Sequence, residues 1–204
     1  MASQHKKDIL EIFHDYGVYL PTRTIMLDST YDESGHSDGV NHYMATKFLK
    51  NFMHLYHLNK DPITVILNTQ GGSCVEGYVI YDVIRAAKNC HVTVKVVGQA
   101  SSMGCIILQA GDERILTPNC SIMFHAGTGG VGDYNPYEVE NSAMYDKKFM
   151  ERMYKILLER INEKREKDNK TEMSWKMFEN MNLKGKYLFP EEAIEIGLAD
   201  KIEE

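Results

Sequence analysis

Disulfides, membrane spans and a basic surface are all missing from this sequence. Its four cysteines, Cys74, Cys90, Cys105 and Cys120, are too few and too scattered for a disulfide framework, and none sits in a Cys-x-x-Cys metal pair. They read as buried thiols, and no metal or other cofactor is called for. No apolar run approaches the roughly 20 residues that a membrane span needs. The opening segment, residues 1–7, leads into a polar amphipathic stretch and not a signal-peptide core, so the cytoplasm, of a cell or of an infected host, is the expected compartment. A net charge of −6 gives no general basic character, which sets nucleic acid aside as a partner.

What remains is an ordinary globular composition. With 204 residues, 43% hydrophobic and 25% charged, the chain has the apolar content for one core, and a single domain over 1–204 is expected. Residues 8–16 carry Ile9, Leu10, Ile12, Phe13 and Tyr16 at helical spacing, which makes 1–20 a helical extension. A first strand is predicted over 23–27, followed by a polar loop over 29–41. Next comes a helix whose apolar face is Tyr43, Met44, Phe48, Phe52, Leu55 and Tyr56. A strand over 63–67 precedes a helix over 74–87 with Val75, Tyr78, Val79, Val83 and Ile84 inward. Strand and helix then repeat, the pattern of an α/β core built from right-handed βαβ crossovers.

Chemistry concentrates at three places in that pattern. Gly98-Gln99-Ala100-Ser101-Ser102-Met103-Gly104 lies between the β-branched run 92–97 and the apolar run 105–108. A serine between a strand end and a helix start, flanked by small residues, is how hydrolases expose a nucleophile. Twenty-three residues after Ser102, the run Ile122-Met123-Phe124-His125 ends a further apolar strand in a candidate base. Upstream, Leu67-Asn68-Thr69-Gln70-Gly71-Gly72 closes a strand in a glycine pair whose amides could face an oxyanion. Cys105, three residues after Ser102, would point one helical turn along into the core, as a packing residue and not a nucleophile.

In order and spacing these blocks, with the closing Glu192-Ala193-Ile194-Glu195-Ile196-Gly197-Leu198-Ala199-Asp200, resemble the proteolytic subunit of the Clp protease, the ClpP family of serine peptidases on the crotonase fold. The resemblance runs from about Arg23 to Asp200. It implies Ser102 as nucleophile, His125 as general base, and the backbone amides of Gly72 and Met103 as oxyanion donors; Ser101 falls where the family commonly has alanine. It also implies a projecting handle over 126–167, made of a glycine-rich strand or loop and a long helix, through which two heptameric rings stack into a tetradecameric chamber. An ATP-driven AAA+ unfoldase would be the partner, and unfolded polypeptides the substrate. The long helix, with Met144, Phe149, Met153, Ile156, Leu157 and Ile161, supplies the apolar stripe, and Met153 and Ile156 are expected to face the other ring.

The third triad member departs from the family. Its aspartate lies eight residues before the alanine of E-A-x-x-x-G-L-x-D, a position that is Gly185 here. Asn182 or Asn180 could orient the imidazole, Glu179 or Asp133 could turn in, or the site could work as a Ser–His pair. A Ser–Lys arrangement would draw on Lys147 or Lys148 and is the weaker case beside His125. The segment before the first strand departs too, in a way similar to phage-encoded relatives of ClpP. Two functions follow from this: a serine endopeptidase, or a catalytically weak or inactive paralogue with a structural or regulatory role. Acyl-CoA chemistry of the crotonase type shares the fold but needs no Ser–His pair.

Overall fold

The computed structural model of the chain describes residues 2–29, 38–125, 127, 135–182 and 185–203. Helix α1 spans Ala2–Tyr16, and strand β1, Val18–Tyr19, leads through a 3-10 turn, Leu20–Thr22, into β2, Thr24–Asp28. Then follow α2 (His42–Leu58), β3 (Ile63–Thr69), α3 (Cys74–Arg85), β4 (Val92–Ser101) and α4 (Met103–Leu108). Strands β5 (Glu113–Leu116) and β6 (Ser121–Phe124) come next, then α5 (Pro136–Lys167), α6 (Trp175–Asn182), β7 (Lys186–Leu188), α7 (Pro190–Ile196) and β8 (Lys201–Ile202). The polar loop at 30–37 and most of the glycine-rich stretch, including Asp133, lie outside the described residues.

One sheet of eight strands holds these elements together. Its main path is β1-β2-β3-β4-β5-β8, and β6 pairs with β4 and with β7. β2, β3, β4, β5 and β8 run parallel, whereas β1 and β7 are antiparallel additions at β2 and β6. β3 alternates strictly between buried and half-buried positions, with Ile63, Val65 and Leu67 fully buried.

β4 divides the sheet. Thr93–Val96 pair with β5, whereas Gln99–Ser101 pair with β6. Between the two halves the register against β3 slips, since Leu67 faces Val96 but Thr69 faces Ala100. The slack is taken up at Gly98, whose φ of +83° suits glycine, and where a Cβ would stand 2.7 Å from Asn68 Oδ1. Asn68 braces the irregularity by accepting from Gln99 N–H at 3.3 Å and donating to Asp28 Oδ1 at 2.9 Å. The bulge redirects the end of β4 toward β6.

Helices cover the sheet with faces that differ in part from those expected. α2, capped by the Asn41 side chain on Met44 N–H at 2.8 Å, buries Met44, Ala45, Phe48, Phe52 and Leu55. Each large side chain buried there contributes about 2 kcal/mol. Tyr43 is exposed, because its register position turns it away from the sheet. In α3 the buried residues are Gly77, Ile80 and Ile84, and Val75 is exposed. The reason is close helix packing: a Cβ on Gly77 would stand 2.2 Å from Met103 Cγ, so α3 turns its glycine toward α4.

α5 is about 48 Å long at 1.5 Å per residue. Its start is fixed by a capping box between Asn135 and Glu138. Met153, Tyr154, Leu157 and Ile161 are buried in the chain's own core, with Ile156 packed against it. This corrects the expectation that Met153 faces another subunit, whereas Ile156 stays half-buried: Tyr154 packs edge-on against Phe124 and Phe178, which draws that half of the helix onto the body. Tyr137, Met144 and Tyr145, on the other half, are exposed.

At the far end of the sheet, buried Arg114 joins β5 to the turn after α7. Its guanidinium donates to both Asp200 carboxylate oxygens at 3.0 and 2.8 Å, and to Gln109 Oε1 at 2.6 Å. Burial alone would raise the Asp200 carboxyl, but hydrogen bonds from Arg114 and its charge outweigh that and hold it below the ordinary carboxylate range.

Candidate active site

Two strand ends deliver the chemistry. Because Ser101 on β4 lies opposite Met123 on the parallel β6, the residues following each strand emerge side by side. Ser102 N–H donates to the Met123 carbonyl at 2.8 Å, which ties the two ends together. His125 Nε2 then lies 2.8 Å from Ser102 Oγ, a hydrogen bond of ordinary length. A hydroxyl held in this way can pass its proton to the ring as the oxygen attacks an electrophile.

Local backbone geometry aims the hydroxyl. Ser102 sits at φ 53° and ψ −118°, a conformation that side-chain-bearing residues seldom adopt and that stores strain. It is the sharp turn between strand and helix that lifts a side chain out of the sheet. Met103 opens α4, so its N–H has no acceptor within the helix. Ser101, by contrast, is buried, and its hydroxyl donates to Gln99 Oε1 at 3.2 Å.

The glycine pair approaches from the end of β3. Gly71 has φ +96°, and a Cβ there would stand 2.6 Å from both the Ser101 carbonyl oxygen and Ser102 Cβ, so only glycine fits. The next residue bridges to Val40: Val40 N–H donates to the Gly71 carbonyl at 2.7 Å, and Ser73 N–H donates to the Val40 carbonyl at 2.8 Å. Neither bond uses Gly72 N–H. Below the turn, buried Thr69 Oγ1 accepts from Gly71 N–H at 3.1 Å and pairs with Ser29 Oγ at 2.6 Å. Val40 and the Ser29–Thr69 pair are supports that the sequence reading missed. The strict alternation along β3, which turns Thr69 inward, was the available signal for the latter.

Three of the candidates for a third triad member lie on α6. Asn180 is exposed on α6, Glu179 is half-buried and lies close enough to Tyr154 to raise its hydroxyl pKa in second place after burial, and Asn182 ends the same helix. Neither Glu179 nor Asn180 hydrogen-bonds His125. Gly185 does come alongside it: a Cβ there would stand 4.0 Å from His125 Cβ. Lys147 and Lys148 are exposed on α5.

Cys105 is fully buried, and burial pushes its thiol up to about 12, far from a reactive thiolate. A cleft of about 780 Å³ opens along α5 between Leu158 and Glu172, but none of the site residues lines it.

Comparison with known proteins agrees with this architecture. A solved structure of a ClpP1 mutant from Listeria monocytogenes superposes with a TM-score of 0.71 at 24% identity, covering 90% of this chain and 92% of that one. At that identity the match establishes the α/β, crotonase-like fold. The Clp protease family model matches residues 35–204, a span that takes in the glycine pair, the serine turn, the histidine strand and the closing helix. On that match over most of its length, the chain belongs to the Clp protease family.

Proposed function

We propose that the chain is a serine endopeptidase that cleaves unfolded polypeptides. Ser102 Oγ attacks the scissile carbonyl, His125 takes the hydroxyl proton and returns it to the leaving amine, and the Gly72 and Met103 amides receive the developing oxyanion. The observation that carries this reading is the 2.8 Å contact between Ser102 Oγ and His125 Nε2 at the end of two paired strands. Cleavage takes place in a chamber of stacked rings built from copies of this chain, with 126–167 as the handle and an ATP-driven unfoldase as the supplier of substrate. Exposed Tyr137, Met144 and Tyr145 on the outer half of α5 support a contact there.

Reaction with a fluorophosphonate probe, followed by mapping of the adduct, tests the site. The expected adduct is on Ser102 and is lost in Ser102→Ala; a wild-type protein that takes no label overturns the reading. A second reading rests on the glycine at 185, which offers His125 no carboxylate. Loss of the orienting aspartate from a triad costs about 10⁴ in turnover. On this reading the chain is a slow or inactive paralogue that fills ring positions, and probe uptake orders of magnitude below that of an intact triad supports it.

A further inference from the structure

Beside the glycine turn lies a pocket of about 200 Å³ between Cys74 and Val75 at the start of α3, Gly127, and Asp146, Phe149 and Met150 on α5. Ser73, which also lines it, follows Gly72, and Gly127 comes two residues after His125, so the pocket neighbours both halves of the site along the chain. Gly127 is held against α5, where a Cβ would meet Met150 Sδ at 3.3 Å. The walls are mainly apolar, and the Phe149 ring lies 4.7 Å from the Tyr145 ring and 5.3 Å from that of Tyr78.

Among the described lining residues one side chain is charged, and it is Asp146. Positions 146, 149 and 150 stand at i, i+3 and i+4, one face of a helix, so the carboxylate belongs to the same face as the apolar wall. Lys147 and Lys148 fall on other faces. The carboxylate also reaches the interior electrostatically: after burial, Asp146 is the second cause that raises the Cys74 thiol above its ordinary pKa.

We propose that this pocket receives the side chain on the acyl side of the scissile bond, and that Asp146 makes it select a long side chain with an apolar stem and a cationic end, lysine or arginine. This rests on the peptidase reading above. The stem of such a residue lies along Val75, Phe149 and Met150 while its charged head stays hydrated beside the Asp146 carboxylate at the rim. A glutamate of similar reach would bring two carboxylates together and is disfavoured. Asp146 is exposed, so its contribution is that of a screened ion pair and sets a preference among long side chains.

The test uses Ser102→Ala protein, which can bind peptide without acylation, and fluorescence anisotropy with three peptides that differ at the one position: lysine, norleucine or glutamate. Norleucine keeps the stem and removes the charge. The lysine peptide is expected to bind about two- to fivefold more tightly than the norleucine peptide, with glutamate weakest. Asp146→Asn in the same background should erase the lysine advantage and leave norleucine unchanged. Equal affinity for lysine and norleucine, an advantage that survives Asp146→Asn, or no binding by any of the three overturns the pocket assignment. Since binding is read without the nucleophile, failure here is distinct from failure of the wild-type protein to take the fluorophosphonate, which overturns the peptidase reading.

Discussion

A side chain at position 185 would begin 4.0 Å from the Cβ of His125, so this position, directly before β7, stands where it could support the imidazole but holds a glycine. Gly185 has φ +58°, a conformation that aspartate and asparagine tolerate better than other side chains. Gly185→Asp should therefore restore an orienting carboxylate. The expected result is a rise of at least about tenfold in the rate of fluorophosphonate uptake, a fraction of the ~10⁴ that such a carboxylate contributes in a complete triad. Gly185→Ala, the control for backbone strain, should show no rise.

His125→Ala removes the proposed base and its hydrogen bond to Ser102 while leaving the strand pairing of β6 intact. Probe uptake should fall by about 10³-fold or more, with an unchanged circular dichroism spectrum. A rate near wild type would reassign the base to Lys147 or Lys148.

Gly71→Ala tests the close approach beneath Ser102. The new methyl would meet the Ser101 carbonyl oxygen and Ser102 Cβ at 2.6 Å, and Met103 N at 3.0 Å, all of them backbone or short side-chain atoms with little room to yield. Labelling at Ser102 should be abolished. Labelling at the wild-type rate would show that the turn and the serine do not touch in solution.

The two halves of α5 should respond in opposite ways to charge. Met144→Asp lies on the exposed half and should leave the melting temperature unchanged while reducing particle mass in light scattering. Met153 is buried in the core, and even Met153→Ala should cost about 3 kcal/mol, near 6–12 °C in melting temperature for a chain of this size. Unchanged mass in Met144→Asp would exclude the outer half as the contact between subunits.

Acid should act through the Arg114–Asp200 pair. The Asp200 carboxyl is held low in the folded chain, so its stabilising share is complete above the ordinary carboxylate pKa of about 3.9 and is lost as pH falls through the lower folded value. Asp200→Asn leaves the buried guanidinium without its carboxylate and should cost about 3 kcal/mol at neutral pH. Chemical denaturation followed from pH 7 to pH 3 should show the variant losing less of its remaining stability than the wild type below pH 4.

Sequence pattern disclosed the elements that alternate apolar residues without interruption, and it located the serine, the histidine and the glycine pair in sequence. It did not disclose which face each helix would bury. In α3 the periodicity pointed to Val75 and passed over Ile80, and the buried face was set by Gly77, whose missing side chain admits Met103 from α4. In α5 the stripe through Met153 and Ile161 looked the same whether it met its own core or another subunit, because periodicity records burial and not the identity of the neighbour. The bulge in β4 was hidden for a related reason: Gly98 marks a place where the chain can turn, but the slip arises from pairing with Leu67 and Thr69, some thirty residues away in sequence. Asp146 carried no signal in a charged helix. Its meaning comes from Cys74 and Gly127 lying opposite.

The twisted backbone of Ser102 has a consequence for measurement. A peptide unit at φ 53° survives only while the Met123 carbonyl and the first turn of α4 hold it, and a denatured chain relaxes to negative φ and loses the imidazole as well. On the proposed reading the hydroxyl is activated in native molecules alone. Covalent tagging of this one oxygen should then count the folded population, and the decay of tagging under heat or denaturant should serve as a clock for unfolding that needs no substrate.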